Sequence, residues 1–295
     1  MGMRTRSEVI VLANGVQLCA ETFGDRTDPA VVLIMGSSAS MDWWEAEFCE
    51  QLAAGGRFVI RYDLRDTGRS ISYPPGSPGY SSHDLVDDLD ALLDVLVPGR
   101  RAHLVGMSMG GAIAQVEALD RPDRVASLTV FASSFADRDL SSLPSMSEET
   151  GRRFAAVPSP DWTDRAETVA YVVELARVGA ASSAPFDEAS VSSIAERAFD
   201  RSTDMAASYT NHSLLEDGGP PQRRLEDLRM PTLVIHGTED PVLPFEHAIA
   251  LSRAIPEARL LPLEQTGHEL PGRTWDMVVP AILRHTSEDG PVARA

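Results

Sequence analysis

The chain has 295 residues, 43% hydrophobic and 24% charged, and its 26 Lys and Arg against 44 Asp and Glu give a formal net charge of -18. Such a chain can bury a sizeable globular core, and its composition excludes disordered, collagen-like and disulfide-scaffold classes. The acidic field repels phosphate backbones and anionic headgroups, and no basic stripe offsets it, which argues against nucleic acid or a membrane surface as partner. Solubility is its plain reading. Cys19 and Cys49 are too few for a disulfide framework and lack zinc-site spacing, so a reduced, cytoplasmic protein without a bound metal is expected. The start M-G-M-R-T-R-S-E has no apolar run of signal-peptide length behind it, and runs such as Ala30 to Met35 are far shorter than a membrane span.

In chain order, Glu8 to Leu12 is β-branched and apolar, Asn14-Gly15 signals a hairpin turn, Val16 to Phe23 alternates, and Ala30 to Met35 is a buried run. A hairpin leading into a central strand is expected. Next come a helix near Trp44 to Ala54, a strand Phe58 to Tyr62, a helix Asp84 to Leu96, a strand Ala102 to Val105, a helix from Gly110 towards Leu119 and a strand Ala126 to Ala132. Alternation of this kind means a mostly parallel sheet with helices on both faces, an α/β fold. In the Asp84 helix, Leu85, Leu89, Leu92, Leu93 and Leu96 recur at three- and four-residue steps. Asp87, Asp88 and Asp90 then read as a solvated face rather than a metal cluster.

From Ala136 to His212 the composition shifts to Ser, Pro, Glu and Ala with helical patches, notably Ala166 to Val178 and Ser190 to Phe199, and no strand run. Alternation resumes with a strand Thr232 to His236, a helix near Phe245 to Ala254, a strand Ala258 to Leu263 and a helix Trp275 to His285. The expected organisation is a core of 1–135 and 213–295 with a helical cap inserted at 136–212.

The sequence L-V-G-M-S-M-G-G sets Gly106, Ser108 and Gly110 in G-x-S-x-G between a strand and a helix. A sharp turn there brings backbones too close for a Cβ at either glycine and projects the serine above the sheet. A serine hydroxyl is a weak nucleophile, so the motif carries chemistry only if a base and an orienting acid accompany it. The strand into G-T-E-D-P ends near Glu239 and Asp240, and the strand into E-Q-T-G-H ends near His268. His268 is the expected base; spacing leaves Glu239 and Asp240 both open as the acid. His83, His103, His212, His236, His247 and His285 lie in helices, strand bodies or the insertion, where core or surface roles are usual. The loop Met35-Gly36-Ser37-Ser38 is expected to supply one oxyanion-hole amide, from Ser37, and Met109 the other. Met35, Met107 and Met109 with Trp43 and Trp44 offer a polarizable apolar wall near the serine, core packing being the stronger reading for Met107. Gly36, Met35 and Trp43 are the candidate substrate contacts, and the R-D-T-G-R-S stretch from Arg65 reads as a structural loop shaped by Gly68.

The segments F-G-D at Phe23, V-V-L-I-M-G at Val31, R-Y-D-L-R-D-T-G-R-S at Arg61, G-M-S-M-G-G at Gly106, P-T-L-V-I-H-G-T-E-D-P at Pro231 and T-G-H-E-L-P ending at Pro271 carry a family resemblance. The chain resembles the α/β-hydrolase superfamily throughout its core, and within it the aclacinomycin-methylesterase group; the match is weak in the insertion. The resemblance aligns Asp240 rather than Glu239 with the family's acid. It implies a triad of Ser108, Asp240 and His268, the Ser37 and Met109 amides as oxyanion donors, no cofactor, and hydrolysis of a small-molecule carboxylic ester such as a methyl ester on a polyketide. Met35 stands where many members have a histidine. Cofactor-free perhydrolase or haloperoxidase chemistry, lactone cleavage and a receptor role are the alternatives. Haloalkane dehalogenase and epoxide hydrolase chemistry is disfavoured, since each needs a carboxylate where Ser108 stands.

Overall fold

The computed structural model describes residues 6–137, 140–216 and 223–287. Segment 1–5, read above for targeting signals, lies outside them. Eight strands form one sheet: β1 (Ser7–Ala13), β2 (Val16–Phe23), β3 (Ala30–Ile34), β4 (Phe58–Tyr62), β5 (Ala102–Met107), β6 (Val125–Phe131), β7 (Thr232–Gly237) and β8 (Arg259–Leu263), in spatial order β1-β2-β4-β3-β5-β6-β7-β8. β2 pairs antiparallel with β1 and with β4, and every later pairing is parallel. The hairpin turns at Asn14 and Gly15, both at positive φ, as an Asn-Gly two-residue loop requires.

Period-two alternation divides the core into two layers. Val32 and Ile34 of β3 join the layer covered by α2 (Ser82–Leu96), α3 (Met109–Asp120) and α8 (Glu246–Ala254), whereas Val31 and Leu33 join the layer covered by α1 (Ala46–Ala54) and α9 (Trp275–His285). Helix α2 starts on a capping box, with Ser81 Oγ accepting from the Asp84 amide and Asp84 Oδ2 from the Ser81 amide. Its leucines pack inward. One acid of its expected solvated face, Asp88, is instead buried, held by Arg65 at 2.7 Å; an ion pair makes that burial tolerable. The helix expected from Trp44 starts at Ala46, because Met41–Trp43 makes a separate 3-10 turn capped by Ser40. Among the described residues no helix is long and apolar enough to cross a membrane.

Between β6 and β7 the described residues contain no strand; they form α4 (Glu148–Ala155), α5 (Arg165–Gly179), α6 (Glu188–Arg201) and α7 (Met205–Thr210). Asp164, Asp187 and Asp204 cap α5, α6 and α7 by accepting from amides of the first turn, which satisfies otherwise orphaned donors. The insertion has its own small apolar cluster around Val172, Val173, Ala195 and Met205, joined by Trp162, Tyr171 and Tyr209.

Polar contacts seat this insertion on loops that follow the C-terminal ends of β3, β4, β7 and β8. Arg201, at the end of α6, reaches Asp42 at 2.5 Å and Asp63 at 2.9 Å. Asp63 is fully buried and also accepts from the Met41 and Arg69 amides. Gly68, at φ 52°, lies so close that a Cβ there would sit 2.2 Å from the Asp63 carboxylate. Thr203 donates its amide to Gly68 O, Ser208 its hydroxyl to Asp66 O, and Asn211 its side-chain amide to Asp66 Oδ2. The R-D-T-G-R-S stretch is thus a structural loop, and it serves as the ledge on which the insertion rests.

Removing one partner from a buried ion pair costs about 3–5 kcal/mol, because the other charge stays buried. Arg201→Met is expected to lower the unfolding free energy by about 3 kcal/mol in urea titration, and Asp63→Asn in that background to recover part of the loss. An unchanged urea midpoint for Arg201→Met would show that the pair does not hold the insertion.

Candidate active site

The turn from β5 into α3 is set by backbone crowding. A Cβ on Gly106 would lie 2.1 Å from Gly110 O, and one on Gly110 would lie 2.3 Å from Ile34 O. With both positions bare, the chain reverses at Ser108, whose backbone takes φ 53° and ψ -121°. A non-glycine residue in such a region costs on the order of 1–3 kcal/mol and persists only where its surroundings over-determine it. Here the Ser108 amide donates to Phe131 O at 2.9 Å, and Ser108 O accepts from the Gly111 amide at 2.9 Å and from Ser133 Oγ at 2.7 Å. Ser108 is half-buried at the N-terminus of α3, the positive end of the helix dipole.

Gly36 packs against the serine; a Cβ there would be 3.0 Å from Ser108 Cβ. Ser37, next in the chain, is exposed, and Met109 occupies the first turn of α3. Among the described residues neither the Ser37 nor the Met109 amide donates to another protein group, so both are available to an oxygen bound beside Ser108. Ser38 follows at φ 64°.

Asp240 and His268 meet across the ends of neighbouring strands β7 and β8, with His268 Nδ1 donating to Asp240 Oδ2 at 2.8 Å. Oδ1 of Asp240 accepts from the Val242 and Leu243 amides at 2.9 and 2.8 Å. Behind it, fully buried His236 sets Nε2 at 2.8 Å from Leu243 O and 3.3 Å from Asp240 Oδ2. Burial alone would raise the Asp240 pKa, but His268 and His236, by charge and hydrogen bonding, bring it well below the ordinary carboxylate range. The carboxylate is therefore ionised at neutral pH. Glu239 takes a different direction: it accepts from the amide and hydroxyl of Ser183 in the α5–α6 connection. Nearby, the His268 amide donates to Gly179 O at 2.7 Å, and Glu269 Oε1 accepts from the Ala181 amide. The insertion is thus stapled to the loops that carry both the acid and the base.

The structure joins Asp240 to His268 and does not close a hydrogen bond from Ser108 Oγ to His268. Met107 and Trp44 are buried in the α1 and α9 layer, so Trp44 is core rather than pocket wall. Met35 is 7% exposed in the same layer, whereas half-buried Trp43 packs against both that layer and the aromatic cluster of the insertion. Four of the remaining histidines hold internal partners: His103 pairs with Ser127, His247 with Ser134 and Pro144 O, His285 with Leu128 O and Arg259, and His212 with Ser38 and Arg65 O. His236 escapes a pattern-based reading because it sits inside a strand; its position four residues before Asp240 is the one signal that points to it. Among the described residues no group of three His, Cys, Asp or Glu side chains is placed to hold a metal ion.

The family model described as alpha/beta hydrolase fold matches residues 29–271, and the chain belongs to that family. It is 35% identical to rhodomycin D methylesterase DauP of Streptomyces sp. (strain C5), over 94% of this chain and 97% of that protein. Rhodomycin D methylesterase DnrP of Streptomyces peucetius is 34% identical, over 92% and 95%. Among solved structures, 2-hydroxy-6-oxo-6-phenylhexa-2,4-dienoate hydrolase from Rhodococcus sp. strain RHA1 superposes with a TM-score of 0.72 over 96% of this chain and 99% of its own, at 23% identity. The enol-lactonase from Burkholderia xenovorans LB400 superposes with a TM-score of 0.73 over 95% and 100%, at 22% identity. At these identities the two structures speak for the fold.

Because a Cβ on Gly110 would drive α3 away from β3, Gly110→Ala is expected to displace the Met109 amide and lower kcat for a simple ester by about 10²-fold, the order of losing one oxyanion donor. Steady-state kinetics on folded protein checks this. A Gly110→Ala enzyme with full kcat would mean that the close approach of α3 to β3 has no bearing on the site.

Proposed function

We propose that this protein is a serine hydrolase that cleaves a carboxylic ester through an acyl-enzyme, with Ser108 as nucleophile, His268 as base and Asp240 as orienting acid. The Asp240–His268 hydrogen bond of 2.8 Å, in the loops that follow β7 and β8 as Ser108 follows β5, is the observation that carries the reading. Ser108 Oγ attacks the ester carbonyl while His268 Nε2 takes its proton. The carbonyl oxygen becomes an oxyanion and accepts from the Ser37 and Met109 amides at the dipole end of α3. Collapse of this intermediate expels the alcohol with the proton from His268; water then attacks the acyl-enzyme with His268 again as base, releasing the acid and restoring Ser108. Asp240 holds the Nδ1–H tautomer and stabilises the imidazolium, with its second oxygen anchored by two amides.

The substrate class is a small-molecule ester, and similarity to two rhodomycin D methylesterases over nearly the full chain supports a methyl ester on a polyketide-type scaffold. Residues 136–212 act as the cap that selects it, with Trp43 contacting the flat apolar part of the substrate and Met35 and Gly36 closing the floor beside Ser108. Cys19 and Cys49 are buried free thiols, which suits the reducing cytoplasm.

Ser108→Ala and His268→Ala are each expected to lower kcat by at least about 10³-fold, since triad members act as one unit. Asp240→Asn should cost somewhat less, and Glu239→Gln least of all. Should Glu239→Gln prove more damaging than Asp240→Asn, the acid is misassigned. Exchanging 136–212 for the matching segment of a related esterase is expected to shift kcat/KM between two esters by more than about tenfold, or 1.4 kcal/mol. A folded chimera that keeps the parental ranking would put specificity in the core.

A further inference from the structure

His212 lies in the 3-10 turn Asn211–Leu214, where the helical insertion ends, and is buried at 6% exposure. Its two ring nitrogens face different parts of the core. Nε2 is 2.8 Å from Arg65 O, and since a carbonyl only accepts, Nε2 carries the hydrogen. The Ser38 amide donates to the other nitrogen, Nδ1, at 3.0 Å. One neutral tautomer satisfies both bonds, and burial, which lowers the His212 pKa, favours that neutral ring.

Ser38 directly follows Ser37. Its φ of 64° is uncommon for a serine; it falls in a tight turn closed by the Ala39 amide on Gly36 O at 3.4 Å, and the Ser38 amide in that turn donates to His212. That bond fixes the peptide plane between Ser37 and Ser38. With Gly36 wedged against Ser108 on the other side, the Ser37 amide has little freedom left to turn. The neighbouring residue Asn211 is tied to Asp66 Oδ2 and accepts from the Gly76 amide at 2.7 Å, so the imidazole is itself on a rigid mount. The loop after β3 is therefore closed locally by the Ala39 amide on Gly36 O and braced in addition by a side chain from 174 residues further along.

We propose that His212 is a positioning residue: by accepting from the Ser38 amide through Nδ1 it sets the direction of the Ser37 N–H, so that the seating of the insertion governs oxyanion stabilisation as well as substrate choice. This rests on Ser37 being an oxyanion donor. A purely structural role for His212 would instead lie in its Nε2 bond to Arg65 O, which ties the insertion to its ledge.

The two roles separate by isosteric replacement. The side-chain oxygen of Asn falls where Nδ1 is and can accept from Ser38, whereas the amide nitrogen of Gln falls where Nε2 is and can donate to Arg65 O. His212→Gln is expected to lose kcat by about tenfold or more with KM nearly unchanged, the size of effect a small misplacement near the reacting atoms produces, and to bind a trifluoromethyl ketone, whose adduct places an oxyanion in the hole, correspondingly less tightly. His212→Asn should recover most of the kcat that His212→Gln loses, even if its melting temperature is the lower of the two. Should His212→Gln fail to fold, a backbone ester at position 38, which removes the N–H donor while leaving every side chain in place, is expected to show the same kcat loss. Equal kcat in the Gln and Asn variants, or full kcat in the ester variant, would overturn the proposal. Phosphonate labelling of Ser108 in the wild type, read in parallel, tests the underlying hydrolase reading separately.

Discussion

The backbone of Ser108 is held at φ 53° and ψ -121°, and the geometry of the site follows from that turn. It is affordable because Gly106 and Gly110 let β5, α3 and β3 approach to distances no Cβ permits, and because ladder and side-chain hydrogen bonds hold both its amide and its carbonyl. The same approach that strains the serine sets the free Met109 amide and the positive end of α3 beside it. Moving any one of the three elements would relax the serine and displace the proposed oxyanion site together, so strain and preorganisation are one feature here.

A second constraint is electrostatic. Asp240 is a buried carboxylate that would be costly alone, yet it accepts from two amides and faces two imidazoles. Its neighbours hold the charge in place, and that charge in turn orients His268. The insertion obeys the same logic at its base, where Arg201 pairs with both Asp42 and Asp63 and where Glu239, Glu269 and Asp66 take up amides and hydroxyls from the other side. Several of these partners sit next to residues of the proposed triad or oxyanion loop, so the fit of the insertion and the geometry of the chemistry are mechanically joined.

Much of this was legible in the sequence where the signal is local. Alternation in β3, the leucine spacing of α2 and the glycines about Ser108 each encode their own structure within a few residues. The choice between Glu239 and Asp240 was not local: adjacent carboxylates on one loop differ only in what they face, and the folded chain turns Asp240 to His268 and Glu239 to Ser183. Asp88 read as a solvated acid because its partner Arg65 lies on another element, and Trp44 read as pocket wall because nothing nearby revealed that it stacks on Phe48 in the core. His212 and Arg201 carried no motif at all, since their partners are separated from them by well over a hundred residues.

Mass spectrometry after reaction with a fluorophosphonate asks whether Ser108 is the nucleophile of an ester hydrolase. One adduct per chain is expected, mapped to Ser108 and formed in step with the loss of esterase activity. An adduct on another residue, or esterase activity that persists with Ser108 fully modified, would contradict it.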